Sequence, residues 1–473
     1  MKNINKYLLI AAVSFGLLSS CSENDLDPTL QQDKSIEESV NTVGDLDAIL
    51  IGAYDRLSFD NKVYGRDLII LGEVFSDNTA SNANSNRFVT EGQMSLTATS
   101  TTPRDLWEQS YKVIGSVNII INAEGIEGDA AEINQLKGQA YALRALVHYN
   151  LLTFYGQQHV NGGSMSSLGV PYVTAFRDSE NLYPIRNTVE EVKNMAYADL
   201  EMASSLMTVA LNDPSKEFIT SYAVRAIEAR ISNYFGDFTR SLAAAKAVVD
   251  SGKYSVVGKD EYLNSFAIDG AANSIFEIAF TATDNPGING LANIYQKGSY
   301  GDVIALPNLA ALYEEGDIRG VSPYTAGAPA SIIGKEESGT LRNQGKYPST
   351  APYEDNVSVS RYEEVVLLYA EALLETGNAG EALTYLNMIP AKRGASAYTA
   401  ATKENILLER RKELAFEGFR FHDLARTKQN IPNPDPVLIT HGVVEYGSYN
   451  FAMPIPASEV DVNSNVVQNF GFN

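Results

Sequence analysis

The chain has 473 residues, with 58 acidic against 36 basic side chains, a formal charge of −22 and a single cysteine. So acidic a protein repels nucleic acid and anionic lipid, since both carry dense negative charge. With 44% hydrophobic and 20% charged residues, it is a globular chain long enough for two or three average domains or one large helical body.

The first segment reads as a processing signal. Lys2 and Lys6 precede an apolar run from Tyr7 to Leu18, and Leu18-Ser19-Ser20 leads into Cys21. The run is too short to span a bilayer, and the small residues before the cysteine have the form of a lipobox, which predicts cleavage and lipidation at Cys21. The expected division is a signal peptide over 1–20, a lipidated tether over 21–44 and a body over 45–473. Lipidation would use the only cysteine, leaving none for a disulfide, a CxxC metal site or a thiol nucleophile.

Within the body the apolar spacing is helical. Leu46, Ile49, Leu50, Ala53 and Leu57 form one stripe, and Leu106, Tyr111, Ile114, Val117 and Ile121 a second. Ile133, Leu136, Ala140, Leu143, Val147, Leu151 and Phe154 form the most regular one. Thr188 and Glu191 make a capping box for a helix running through Leu206. Residues Ala229–Leu242 align without gaps on Ala370–Leu383: an alanine, a glycine seven residues on, then Asp or Asn, a small residue and leucine. This is helix, turn, helix written twice, and such hairpins must stack to bury their apolar faces, as in tetratricopeptide repeats. A mainly α fold is therefore expected, a tetratricopeptide-like scaffold of helical hairpins carrying loop-rich insertions.

Three insertions interrupt the helical pattern, at 76–104, 281–300 and 321–356. The first is rich in Asn, Ser and Thr, and loops this long in a compact body are functional or disordered. Planar amides donate and accept together and so suit hydroxyl-rich ligands, while Arg and aromatic rings add charge and flat faces. Ligand contacts are expected from Asn78, Asn82, Arg87, Phe88, Asn293, Tyr295, Tyr300 and Arg342. The single tryptophan, Trp107, falls in a helical stripe and is assigned to packing, so no platform of several tryptophans is available.

The stretch Arg361–Lys428 has an unusual charge arrangement. The helix after Arg361 places Val366, Tyr369, Ala370, Leu373 and Leu374 on one side and Glu364, Glu371 and Glu375 on the other, an amphipathic pattern. A later helix, Glu404–Phe421, carries Arg410 and Glu417 inside its apolar stripe, and i,i+3 pairing of Arg410 with Glu413 and of Glu417 with Arg420 would satisfy them. Catalytic patterns are missing: four scattered histidines without HExxH, no GxSxG and no GxxxxGK[ST]. His148 is assigned to helix packing. No metal, no cofactor and no enzymatic activity are expected, although two carboxylates of a glycoside hydrolase could hide among so many acids.

The motifs RYEEVVLLYAEAL, EALTYLN, ERRKELAFEGFRFHDLAR and FAMPIPASEVDVNSNVVQNFGF, in that order, resemble the SusD/RagB family of bacterial outer-membrane nutrient-binding lipoproteins. The sequence departs from the family pattern at IPAKRGA and at His422. The resemblance covers nearly the whole mature chain and implies a tetratricopeptide-like scaffold whose insertions form the binding lobe. Lys346, Tyr347, Asp317 and Arg319 match a common family pattern and are assigned to the scaffold. Ser22-Glu23-Asn24-Asp25 is similar to the acidic export tag of Bacteroidetes surface lipoproteins. The function implied is capture of a glycan, or of a peptide, at the cell surface and delivery to a SusC-like TonB-dependent outer-membrane transporter. A glycoside hydrolase and a structural surface adaptor are the competing readings.

Overall fold

A computed structural model describes residues 40–59, 62–298 and 300–472. Cys21, the signal peptide and most of the tether lie outside the described residues. The body opens with α1 (Val43–Arg56), whose Thr42 side chain accepts from the Asp45 amide while the Asp45 carboxylate accepts from the Thr42 amide. Next come α2 (Asp67–Val74) and the short strand β1 (Thr79–Ser81). The long helices α3 (Thr101–Asn122), α4 (Ala130–Tyr155) and α5 (Val189–Leu206) follow, α5 with the expected Thr188–Glu191 capping box.

The repeated motif forms two helical hairpins. The first is α6 (Ser221–Tyr234) with α7 (Phe238–Asp250). After β2 (Ser274–Ile278), β3 (Val303–Ala305), β4 (Val321–Pro323), β5 (Ile333–Lys335), β6 (Leu341–Asn343) and β7 (Val357–Arg361) come α8 (Tyr362–Glu375) and α9 (Ala379–Leu386), the second hairpin. Gly236 and Gly377 take φ of +74° and +90°, the left-handed turn that stops each first helix. Ala229 and Ala370 are wholly buried, α8 packs on both α6 and α7, and α3 to α7 pack each on the next. The stacking expected of the repeat is therefore present, in a mainly α molecule.

The short strands knit the insertions together. A five-stranded sheet runs β1-β3-β6-β5-β4, so the first insertion pairs with the strand after the second, and that strand pairs with the third. A two-stranded ladder, β2 with β7, leads directly into α8. Among the described residues no helix is long and apolar enough to cross a membrane.

The later helix differs from expectation. It is broken into α10 (Lys403–Glu413) and α11 (Arg420–Arg426) by an elbow in which Phe416 and Gly418 take φ of +70° and +83°. The elbow lies against α2, where a Cβ on Gly72 would stand 2.0 Å from the Gly418 carbonyl oxygen, so the two segments meet backbone to backbone.

The expected i,i+3 pairs are replaced by long-range ones. Arg410 donates to Asp423, Arg420 to Asp77, and Glu413 accepts from Arg361 and Arg393. Two of the three carboxylates on the polar side of α8 are not solvated either: Glu364 and Glu371 are 1% and 0% exposed and meet Arg230 and Arg426, whereas Glu375 is exposed and meets Lys403. An ionised carboxylate taken out of water needs compensation, and each of the two buried ones is held by a guanidinium from another helix.

Candidate ligand-binding site

Past β1 the chain coils through Asn82–Arg87 around one acid. Asp302, fully buried, accepts from the Ser85 amide (2.7 Å), the Ser85 hydroxyl (2.5 Å) and the Arg87 amide (3.3 Å). Asn82 Oδ1 accepts from the Asn84 amide at 3.0 Å, the local turn-mimicking bond that Asn favours. Asn82 Nδ2 donates to the Gly301 carbonyl at 3.1 Å and Asn84 Nδ2 to the Tyr300 carbonyl at 2.5 Å. The amides of the first insertion are thus spent partly on fastening it to the second.

Arg87 is the centre of the arrangement. Its guanidinium carbon sits 3.6 Å from the Tyr300 ring centroid, with Nη1 donating to Ser85 Oγ (2.8 Å) and Nη2 to Asn289 Oδ1 (3.1 Å). Those hydrogen-bond partners are neutral, so the cation is positioned without being neutralised by direct contact with a carboxylate. Arg87 and Tyr300 are half-buried, and Asn84 and Asn86 beside them are exposed. The patch presents a flat stacked pair with amide and guanidinium groups at its edges, chemistry suited to a sugar ring and its hydroxyls.

Of the eight residues expected from the sequence, Asn82, Arg87 and Tyr300 meet here at the surface. Arg342 supports them from below: it is 7% exposed, donates to the Gly301 carbonyl at 2.6 Å and pairs with Glu336. Asn293 is buried and donates to the Ile288 carbonyl, while Phe88 is buried with the Arg66 guanidinium 5.3 Å from its ring. Asn78 and Tyr295 are corrected. Asn78 is wholly buried, linking Glu73 to Arg411, and Tyr295 is wholly buried between Tyr347 and Phe416; neither offers a face to solvent. Ser85, Asn84 and Asp302 were missed. The run SNANSN is an Asx-turn signal that could have pointed to the first two; nothing in the sequence marks Asp302.

A cleft of about 930 Å³ opens where the second and third insertions meet residues 263–269, with Asp269, Phe280, Glu354 and Asp355 among its walls. The Asp355 carboxyl accepts from the Ser349 amide at 2.5 Å, and burial pushes it up to about 6.

The densest charge cluster lies elsewhere, behind the elbow. Arg319, Lys346, Arg361, Arg393 and Lys412 face Asp317, Glu363, Glu409, Glu413 and Glu417, five cations against five carboxylates. Glu413 receives Arg319, Arg361 and Arg393 and is held far below the usual carboxylate range, chiefly by Arg393 and Arg361 overcoming its burial. Arg393 comes from IPAKRGA, so the family-divergent turn supplies a central member of the cluster. Every carboxylate in it is paired, which is the architecture of a scaffold.

His148 likewise packs: it stacks on Tyr172 at 3.8 Å, with Nδ1 toward the Arg144 carbonyl and Nε2 accepting from the Val173 amide, and burial holds it neutral, down to about 3. Trp107 is 3% exposed, a packing residue. Among the described residues no group of His, Cys, Asp or Glu could hold a metal ion.

Stacked helical hairpins joined to strand-tied loop insertions define a helical-repeat scaffold. A SusD family profile matches residues 340–472, and one described as starch-binding and associating with the outer membrane matches residues 26–232, together well over half the chain. The SusD-like protein P38 of Formosa agariphila is 25% identical over 92% of this chain and 93% of its own length. The SusD-like protein P2 of the same organism is 25% identical over 98% and 99%. SusD superfamily structures from Bacteroides thetaiotaomicron (25% identity, TM-score 0.80, 90% of this chain and 99% of that one) and Bacteroides vulgatus (27%, 0.81, 92% and 100%) share the fold. The chain belongs to the SusD/RagB family.

Proposed function

We propose that this protein is the surface-exposed glycan-binding subunit of an outer-membrane nutrient importer, anchored through lipid on Cys21 and delivering its ligand to a SusC-like TonB-dependent transporter. The observation that carries the reading is the convergence of the first two insertions on Arg87 and Tyr300, a half-exposed flat cationic–aromatic pair rimmed by asparagines. Membership of a family described as starch-binding and outer-membrane-associated supports the glycan class. Arg87, Tyr300 and Asn82 make the site, Asn84 flanks it, and Arg342 and Asp302 hold it in place. The subunit's work is binding and hand-over, and the bond chemistry belongs to other proteins.

The test is calorimetric titration of the chain from Ser22 with plant, host-mucin and microbial glycans and with mixed peptides, followed by product analysis. Saturable binding of one glycan class without new reducing ends is the expected result. Binding of peptides alone would replace the glycan with a peptide cargo, and release of reducing ends would make the protein a hydrolase.

A further inference from the structure

A cavity of about 40 Å³ lies where α4, α6 and α8 meet α2 and the elbow between α10 and α11. Its walls are unusual in their unspent hydrogen-bonding capacity. Asn233 Nδ2, Arg410 Nη1 and the Nδ1 of His422 belong to residues lining it, and none has a hydrogen-bond partner among the described residues. Asn233 and Arg410 are 2% and 4% exposed. An unsatisfied buried polar atom costs roughly 1–3 kcal/mol, so three around one cavity call for an occupant.

The chemistry of the walls selects it. The Asn233 amide nitrogen and the Arg410 guanidinium nitrogen are donors only, and a neutral His422 donates from Nδ1 in one tautomer. The carboxylates in the walls are already engaged: Asp423 takes Arg410 Nε (3.2 and 3.0 Å) and Arg426 Nε (2.7 Å), and Glu417 takes Lys346 Nζ and the Nε and Nη2 of Arg361. The guanidiniums in the walls are all matched by carboxylates, Arg230 by Glu364, Arg426 by Glu371 and Asp423, and Arg410 by Asp423. Glu417 is matched by Lys346 and Arg361, so the unspent donors and not a net charge select the occupant. Space is short: at roughly 10–15 Å³ of such volume per water, the cavity admits about three waters or one small ion.

We infer that this cavity is a binding site for a small monovalent inorganic anion of halide size, held by Arg410, Asn233 and His422. The site is separate from the Arg87 patch. It joins the first hairpin, through α6, to the elbow that bears the buried charge cluster, so its occupant acts as an internal staple.

Two measurements decide it. Crystals of the mature chain grown or soaked in bromide should show an anomalous peak within contact of Arg410 Nη1 and Asn233 Nδ2. Thermal unfolding at fixed ionic strength, with gluconate exchanged for chloride, should raise Tm by on the order of 1–2 °C per tenfold rise in chloride near saturation, and Asn233→Leu should abolish the rise. A cavity that holds only waters after the bromide soak, with no anomalous peak, or a wild-type Tm indifferent to chloride, would overturn the inference. The bromide map of the unaltered protein carries the test if Asn233→Leu does not fold.

Discussion

Arginine does opposite work in two regions of this molecule. Behind the elbow, Arg319, Arg361 and Arg393 are 0–2% exposed and bonded to carboxylates from other segments. In the loop patch, Arg87 is half-buried, bonded to a serine and an asparagine and laid over a tyrosine ring. The first arrangement satisfies a charge completely and leaves nothing for a ligand. The second fixes its geometry while keeping donors in reach of solvent, which is what recognition requires.

The comparison is broken most severely at its buried end. Glu413→Gln leaves three guanidiniums short of a carboxylate in a wholly buried cluster, and should cost at least about 4 kcal/mol in urea unfolding, or prevent folding altogether. A loss under about 1 kcal/mol would mean the cluster is not the scaffold's keystone.

Next comes Glu73, wholly buried, whose carboxylate accepts from the Gly418 amide at 2.9 Å and from Asn78 at 3.2 Å, with no cation bonded to it. Burial pushes it up from the ordinary 4.5 to about 7. A raised carboxyl pKa means the folded state holds the proton longer than the unfolded chain. Its contribution is therefore most favourable below pH 4.5 and is lost as pH rises through about 7, by up to about 3 kcal/mol. Glu73→Gln should flatten stability between pH 5 and 8 and stabilise the protein at pH 8; an unchanged slope would show that Glu73 is not the group responsible.

Glu371 sets the opposite slope. The Arg426 guanidinium foremost, with Lys403, holds it down to about 2, so its stabilisation is complete above about pH 4.5 and lost as pH falls toward 2. Acid unfolding followed by circular dichroism should show Glu371→Gln already weakened at pH 6 and less sensitive to further acid than the wild type.

The smallest stability effect belongs to the patch. Arg87→Ala removes a partly exposed stacking contact and two partly exposed hydrogen bonds to neutral acceptors, and should shift unfolding by about 1 kcal/mol or less.

The helical scaffold was legible because apolar spacing and glycine turns are local signals: the α6–α7 and α8–α9 hairpins, the Thr188 cap and the packing of Trp107 all follow from neighbouring residues. Pairing of charges was not. Arg410 finds Asp423 beyond a break that Gly418 allows, and Glu364 finds Arg230 on another hairpin, contacts that sequence separation conceals. In the insertions, composition identified the right segments but not which side chains face outward. Tyr295 and Tyr300 are five residues apart and look alike, yet the first lies in the short turn Leu291–Tyr295 and is buried under Tyr347 and Phe416, while the second leaves that turn and meets Arg87. Asp302, which organises the loop, is one acid among many until the β1–β3 register brings it beneath Ser85.

The most direct measurement is calorimetric titration of wild type and Arg87→Ala, side by side, with the glycan class that the panel identifies, together with each protein's Tm. Affinity reduced at least about tenfold in Arg87→Ala at nearly unchanged Tm is the result this account predicts. Equal affinity in the two proteins would move the binding site away from the Arg87–Tyr300 patch and contradict it.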